Sequence, residues 1–163
     1  MSTDDLVDAF AAKIKAFGVP ILPEDNTLRF ALFESKLPKR LPASFASFLS
    51  RHRFPSLMFS GSLSLDGSRI RVRTLWRRRP PKGSLSELLL PNGCVQVGQL
   101  DTGSFDAVCF DLNQKSQNRE CQIVQIDHED ILSNWEVRVS AKLWPSFVKF
   151  MESTISATHA GVH

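Results

Sequence analysis

The hydrophobic pattern of the chain changes period twice, once near Pro55 and again near Trp144. Before the first change, Leu6, Phe10, Ile14 and Phe17 recur three or four residues apart, the spacing of one helix face. Ser2 or Thr3 stands where an N-cap belongs, Asp4, Asp5 and Asp8 follow at the positive helix end, and Gly18 and Pro20 stop the run. A second short helix is predicted from Leu28 to Ser35, through Leu28, Ala31, Leu32 and Phe33. Pro38 and Pro42 bracket a turn, and Ser44, Phe45, Phe48 and Leu49 predict a third helix ending near His52.

Beyond Pro55 the segments LMFSGSLSL, IRVRTLW, CVQVGQL, AVCFDL and CQIVQI are short and alternating or β-branched, as strands are. The gaps between them are too short for helical crossovers, so the sheet should be mainly antiparallel. Gly61, Gly67, Gly98 and Gly103 are spaced like turn residues, and LDTGSFD reads as a tight turn. Helical spacing returns through Trp144, Phe147, Phe150, Met151 and Ile155, before a polar tail, ATHAGVH. The order predicts an α+β fold in one domain over 1–163: N-terminal helices, a twisted, mainly antiparallel sheet, and a C-terminal helix packed on it.

With 163 residues, 42% of them hydrophobic, the chain is long enough to bury a core without disulfide or metal staples. No run approaches the roughly 18 apolar residues of a membrane span. MSTDDLVDAF carries acids where a signal peptide carries Lys or Arg, so export is not expected. Cys94, Cys109 and Cys121 lie in apolar runs without a CxxC pair, which predicts reduced, buried thiols and a cytoplasmic protein. The net charge of +3 conceals an asymmetry. From Arg29 to Lys82, thirteen basic residues face only Glu34 and Asp66, whereas residues 83–163 carry ten acids against five bases.

Two clusters could carry chemistry. Asp127, His128, Glu129 and Asp130 pack three carboxylates and an imidazole into four positions. On a strand, Asp127 and Glu129 would share one side; if a helix starts there, Asp127 caps it and Glu129 and Asp130 occupy its first turn. Neither geometry gathers all four groups at one point. Metal ligands usually converge from several places, and His159 and His163 lie in the tail, so a polar strand-end joint is the preferred reading over a metal or acid–base site. In RIRVRTLW, Arg69, Arg71 and Arg73 share one strand face, and Arg77, Arg78, Arg79 and Lys82 follow. This is either a charged edge that discourages aggregation or a surface for an acidic protein or a phosphate backbone. Trp76 is the one aromatic in the run, which does not make a stacking platform for single-stranded nucleic acid. There is no Gly-rich phosphate loop, nucleophile elbow or HExxH, and no cofactor is implied.

LPASFASFL at Leu41–Leu49 resembles the opening helix of the SUKH superfamily, the family of the yeast cell-wall-synthesis regulator. VQVGQLDTGSFDAVCFDL, from Val95 to Leu112, resembles its strand–glycine turn–strand segment. IVQIDHEDIL is similar to the strand that closes on an Asp-His-Glu-like turn, and SFVKFM at Ser146–Met151 to the final helix. The similarity covers Leu41–Leu49 and Val95–Met151. Arg53-Phe54-Pro55 stands where the family commonly has a glycine, and the arginine-rich stretch is not a hallmark of it. The resemblance implies a non-enzymatic role. Bacterial members resemble immunity proteins that bind and neutralise toxins, often nucleases, and fungal members resemble signalling scaffolds. The expected partner is thus another protein, a toxin domain among the candidates, ahead of nucleic acid and with no membrane. Two faces could serve it. One carries Arg69, Arg71, Arg73, Arg77, Arg78 and Arg79; the other, acidic and suited to the basic cleft of a nuclease, carries Asp101, Asp106 and Glu129.

Overall fold

A computed structural model describes residues 1–65, 68–77, 84–101, 104–116 and 118–156, with the side chains of 57–65, 68–73, Ser84 and Lys115 outside that description. Part of the LDTGSFD turn, Gly67, Gly103, Arg78, Arg79, Lys82 and the ATHAGVH tail therefore lie outside the described residues.

Helix α1 spans Thr3–Ala16 and starts as its sequence predicts. The Ser2 hydroxyl accepts the Asp5 amide at 3.1 Å, and the Asp5 carboxylate accepts the Ser2 amide at 3.0 Å, a reciprocal cap. The helix buries Val7, Phe10, Ala11 and Ile14, then ends at Gly18, whose φ of +91° is one that side-chain-bearing residues rarely adopt. Strand β1, Leu22–Pro23, pairs with β2, His52–Arg53, and encloses α2 (Thr27–Glu34) and α3 (Ala43–Arg51). The start of α3 is fastened from far along the chain. Glu120 accepts the Ser44 amide and the Ser44 hydroxyl, each at 2.9 Å. Helix α2 departs in part from its predicted facing: Phe33 packs against the core as expected, but Leu28 and Leu32 are 82% and 67% exposed and Phe30 packs there instead. An eight-residue segment with three apolar spacings open to it cannot announce which one is covered.

The sheet has six strands in sequence order, every neighbour antiparallel: β3 (Leu57–Leu65), β4 (Ser68–Trp76), β5 (Cys94–Leu100), β6 (Ala107–Lys115), β7 (Cys121–Ile126) and β8 (Val139–Trp144). Helices α4 (Ser84–Leu89), α5 (His128–Asn134) and α6 (Phe147–Ser156) complete the order, and this is an α+β protein. Strand β8 escaped the sequence pattern, and Trp144 closes that strand instead of opening the last helix. Two cores, one on each face of β6 and β7, explain the apolar stretches AVCF and IV within those strands. Val108, Phe110 and Ile123 face one core, with α1, α3 and α6; Cys109, Val124 and Ile126 face another, with Leu89 and Ile131 of α4 and α5. A strand buried on both faces loses its polar alternation. In the first core, Phe150 stacks on Trp76 at 4.5 Å between centroids, and Phe147 meets Phe45 edge-on at 5.0 Å.

Two glycines expected in turns lie within strands. Gly61 pairs with Val72, and Gly98 sits beside the β5 irregularity, where an added Cβ would lie 2.4 Å from the Leu75 carbonyl oxygen. Glycine is there for the close approach of two backbones, which spacing alone does not distinguish from a turn.

All three cysteines are free and buried, as their apolar contexts predict. Burial, with Asp111 nearby, pushes the Cys94 thiol up to about 11, and burial also raises Cys109 well above its ordinary value. Native protein at pH 8 is accordingly expected to react with a disulfide reagent at least about 100-fold more slowly than a free thiol. In denaturant all three sulfurs should react rapidly. A fast native phase worth one thiol per chain would contradict this burial.

Candidate functional site

The polar joint at Asp127–Asp130 forms by the helical alternative. Asp127 caps α5 with one carboxylate oxygen, which accepts the Glu129 amide at 2.9 Å and the Asp130 amide at 3.3 Å. Its other oxygen accepts a guanidinium N–H of Arg138 at 3.3 Å, and Arg138 also pairs with Asp130. These bonds tie the first turn of α5 to the residue that leads into β8.

A partner from 22 positions upstream joins them. The Asp106 carboxylate, at the entry to β6, accepts the His128 amide at 3.1 Å, contacts the ring Nδ1 of His128 at 2.6 Å, and accepts the Gln125 amide at 2.5 Å. Only 13% of the Asp106 side chain is exposed. Burial raises its pKa, but the hydrogen bonds from His128, Gln125 and Ser104 outweigh that effect and hold the carboxyl below its ordinary value. Asp106 is thus engaged within the chain, positioning α5, and is not a displayed surface acid as the sequence suggested. Nothing local in SFDAVCF announces that bond, because the β6–β7 register creates it.

Asp106, Asp127 and His128 each bring one possible ligand atom within 4.8 Å of the others. Asp106 already engages His128, and Asp127 engages the α5 cap and the Arg138 guanidinium. The cluster does the work of a joint: it orients a short helix whose only buried residue is Ile131.

Beside its polar residues, α5 displays apolar side chains. His128, Leu132 and Trp135 recur at i, i+4 and i+7, and Phe105 packs edge-on against the His128 ring at 5.9 Å. Phe105 is 68% exposed, Leu132 70% and Trp135 75%, and Val139, which pairs with Ile126 at the foot of the helix, is also exposed. Around this corner Glu129 and Glu136 are exposed and form no ion pair among the described residues, and Asp101 is exposed at the end of β5. Trp135 closes α5 with φ 56° and ψ 29°, its amide donating to the Ile131 carbonyl at 3.1 Å. This left-handed cap normally falls to Gly or Asn, and a bulky side chain holds it at a cost of about 1–2 kcal/mol. Phe105, Leu132 and Trp135 belong to none of the sequence's periodic runs. The signal was an Asn134-Trp135 pair where an Asn or Gly ought to take the left-handed position.

The arginine strand is placed only in part. Arg73, Arg71 and Arg69 occupy alternate positions of β4, opposite Ser60, Ser62 and Ser64. Arg77, half-buried at the end of that strand, is brought instead to a cavity near α2. Arg78 and Arg79 lie outside the described residues, as do the side chains of Arg69, Arg71 and Arg73. Set beside known proteins, the chain matches no family model, no curated protein and no solved structure.

Proposed function

We propose that this chain is a non-enzymatic, immunity-type binding module that occludes a partner protein, a basic toxin domain, with the corner built on α5. The observation that carries this reading is Trp135: three-quarters exposed and in a backbone conformation that costs stability. Strained residues persist where something other than folding selects them, and an exposed tryptophan ringed by polar groups is the commonest kind of interface anchor. Leu132, Phe105 and Val139 widen the apolar centre. The rim is acidic, through Glu129, Glu136 and Asp101. Such a rim complements a basic cleft of the kind that nucleases use for phosphate backbones. The resemblance to the SUKH superfamily supports the same class of activity, and its Asp-His-Glu turn corresponds here to the joint that aims α5.

The test is affinity capture from nuclease-treated native lysate with the unaltered chain and, in parallel, Glu129→Lys/Glu136→Lys. The partner recovered by the first should be basic and largely missing from the second. With both proteins purified, charge reversal is expected to slow association by roughly tenfold at low salt and by much less at high salt, where rim charges are screened. Equal association rates for the two chains would remove the acidic rim from the mechanism.

The alternate placement of Arg69, Arg71 and Arg73 on β4 supports a second reading, a scaffold that binds an acidic protein or nucleic acid through residues 69–82. It requires affinity for a nucleic-acid probe that falls about 10³-fold or more between low and moderate salt. A flat salt dependence ends the nucleic-acid version.

A further inference from the structure

A cavity of about 870 Å³ opens between α2, the β1–β2 pair and the end of β4. That volume is in the range of small-molecule sites, roughly 300–1,000 Å³. Three guanidinium side chains line it from three separate elements: Arg29 of α2, Arg53 of β2 and Arg77 after β4. None of the three forms an ion pair among the described residues. By contrast, Arg51 reaches Asp4 and Asp8, and Arg138 reaches Asp127 and Asp130. The wall between the arginines is aromatic, from Phe30, Phe33 and Phe54. Glu24 also lines the cavity, where it accepts the Asn26 side-chain amide at 2.7 Å. With one carboxylate against three guanidinium groups, the lining is strongly positive.

Three cations along one cavity are a poor lining for the fold's own sake. Like charges repel, and their mutual field weakens the folded state unless an anion enters. Guanidinium forks match phosphate and carboxylate oxygens in paired hydrogen bonds, and aromatic walls take a flat or aliphatic body. Helix α2 buries no residue fully, and Leu22 in the lining is itself exposed.

We propose that this cavity binds a small organic phosphate, the phosphate held by Arg29, Arg53 and Arg77 and the apolar body against Phe30, Phe33 and Phe54. The site shares no residue with the α5 corner, so it stands or falls independently of the toxin-binding reading.

The experiment is calorimetric titration of the whole chain with 1-naphthyl phosphate, and with inorganic phosphate and 1-naphthol as its two halves. The joined compound is expected to bind at least about tenfold more tightly than either half, a gap worth about 1.4 kcal/mol. Arg29 and Arg53 are exposed, so Arg29→Gln and Arg53→Gln leave the core intact, which circular dichroism checks. Each should weaken naphthyl phosphate by at least about fivefold and leave naphthol unchanged. Naphthol binding as well as the phosphate ester, no binding of any probe, or a double variant that binds like the parent would each overturn the proposal. A parallel sedimentation arm with phosphatidic-acid vesicles separates two sources of the same chemistry. Retention that is lost in the double variant assigns a lipid headgroup, and absence of retention alongside naphthyl phosphate binding assigns a soluble ester.

Discussion

Trp135→Gly is expected to make the protein more stable and its partner complex at least about 30-fold weaker. Both halves follow from one geometry. At φ 56° a tryptophan pays for a left-handed conformation that glycine adopts freely, so the substitution should return about 0.5–1 kcal/mol, less than the full strain because glycine also gains unfolded-state entropy. In a domain of this size that is a rise of roughly 1–4 °C in Tm. The same change removes a side chain that is 75% exposed and therefore contributes little to the core. If that side chain is the anchor of an interface, its loss costs 2 kcal/mol or more of binding, hence the 30-fold figure. Thermal unfolding and a titration against the captured partner measure the two halves separately. A variant that unfolds earlier would show that Trp135 packs on the fold, and one that binds unchanged would remove α5 from the interface. Trp135→Asn supplies a control, since asparagine tolerates the left-handed region while also lacking the indole.

Asp106→Ala should cost about 3 kcal/mol, the largest stability effect of any single polar substitution considered. One carboxylate accepts from the His128 amide, the His128 ring and the Gln125 side chain. Deleting it strands three polar groups in a partly buried place, at roughly 1–3 kcal/mol for each that finds no water. Asp106→Asn keeps the shape and one acceptor, so its cost should be nearer 1–2 kcal/mol. The acid response distinguishes them from packing effects. Because the folded-state pKa of Asp106 lies below its unfolded value, the folded chain binds fewer protons there and the stabilisation is complete above about pH 4. As the pH falls through the depressed folded-state value, that contribution is lost, and the gap between the parent and Asp106→Asn should narrow. Denaturant titrations at pH 7 and near pH 3 measure it; a gap that stayed constant would mean the carboxylate's charge plays no part. Since Asp106 positions α5, the alanine variant should also weaken partner binding, though it touches no partner in the proposed mode.

Much of the architecture was legible in single segments. Ser2 and Asp5 announced the first helix start, Gly18 its end, and the Phe45–Phe48–Leu49 spacing a third helix that buries those three side chains. The apolar runs around Cys109 and Ile123 announced strands, and the short gaps between runs made them antiparallel neighbours. Helix caps and turns act over a few residues, and burial of one face leaves a period in the sequence, so both can be read from local order.

The sites were another matter. The facing of α2, the glycine at position 98 and strand β8 depended on what packed against them. Asp106 meets His128 across 22 residues, and Arg29, Arg53 and Arg77 come to one cavity from elements spread over the first half of the chain. The sequence by itself determined helices α1, α2, α3 and α6, strands β3–β7 and the burial of the three thiols, because local geometry and burial write themselves into neighbouring residues. Only the tertiary structure decided which acid became a joint, which arginines came to one cavity, and which tryptophan remained in solvent. Those outcomes depend on strand register and on the docking of a short helix, where displacing a side chain by one residue turns it to the opposite face.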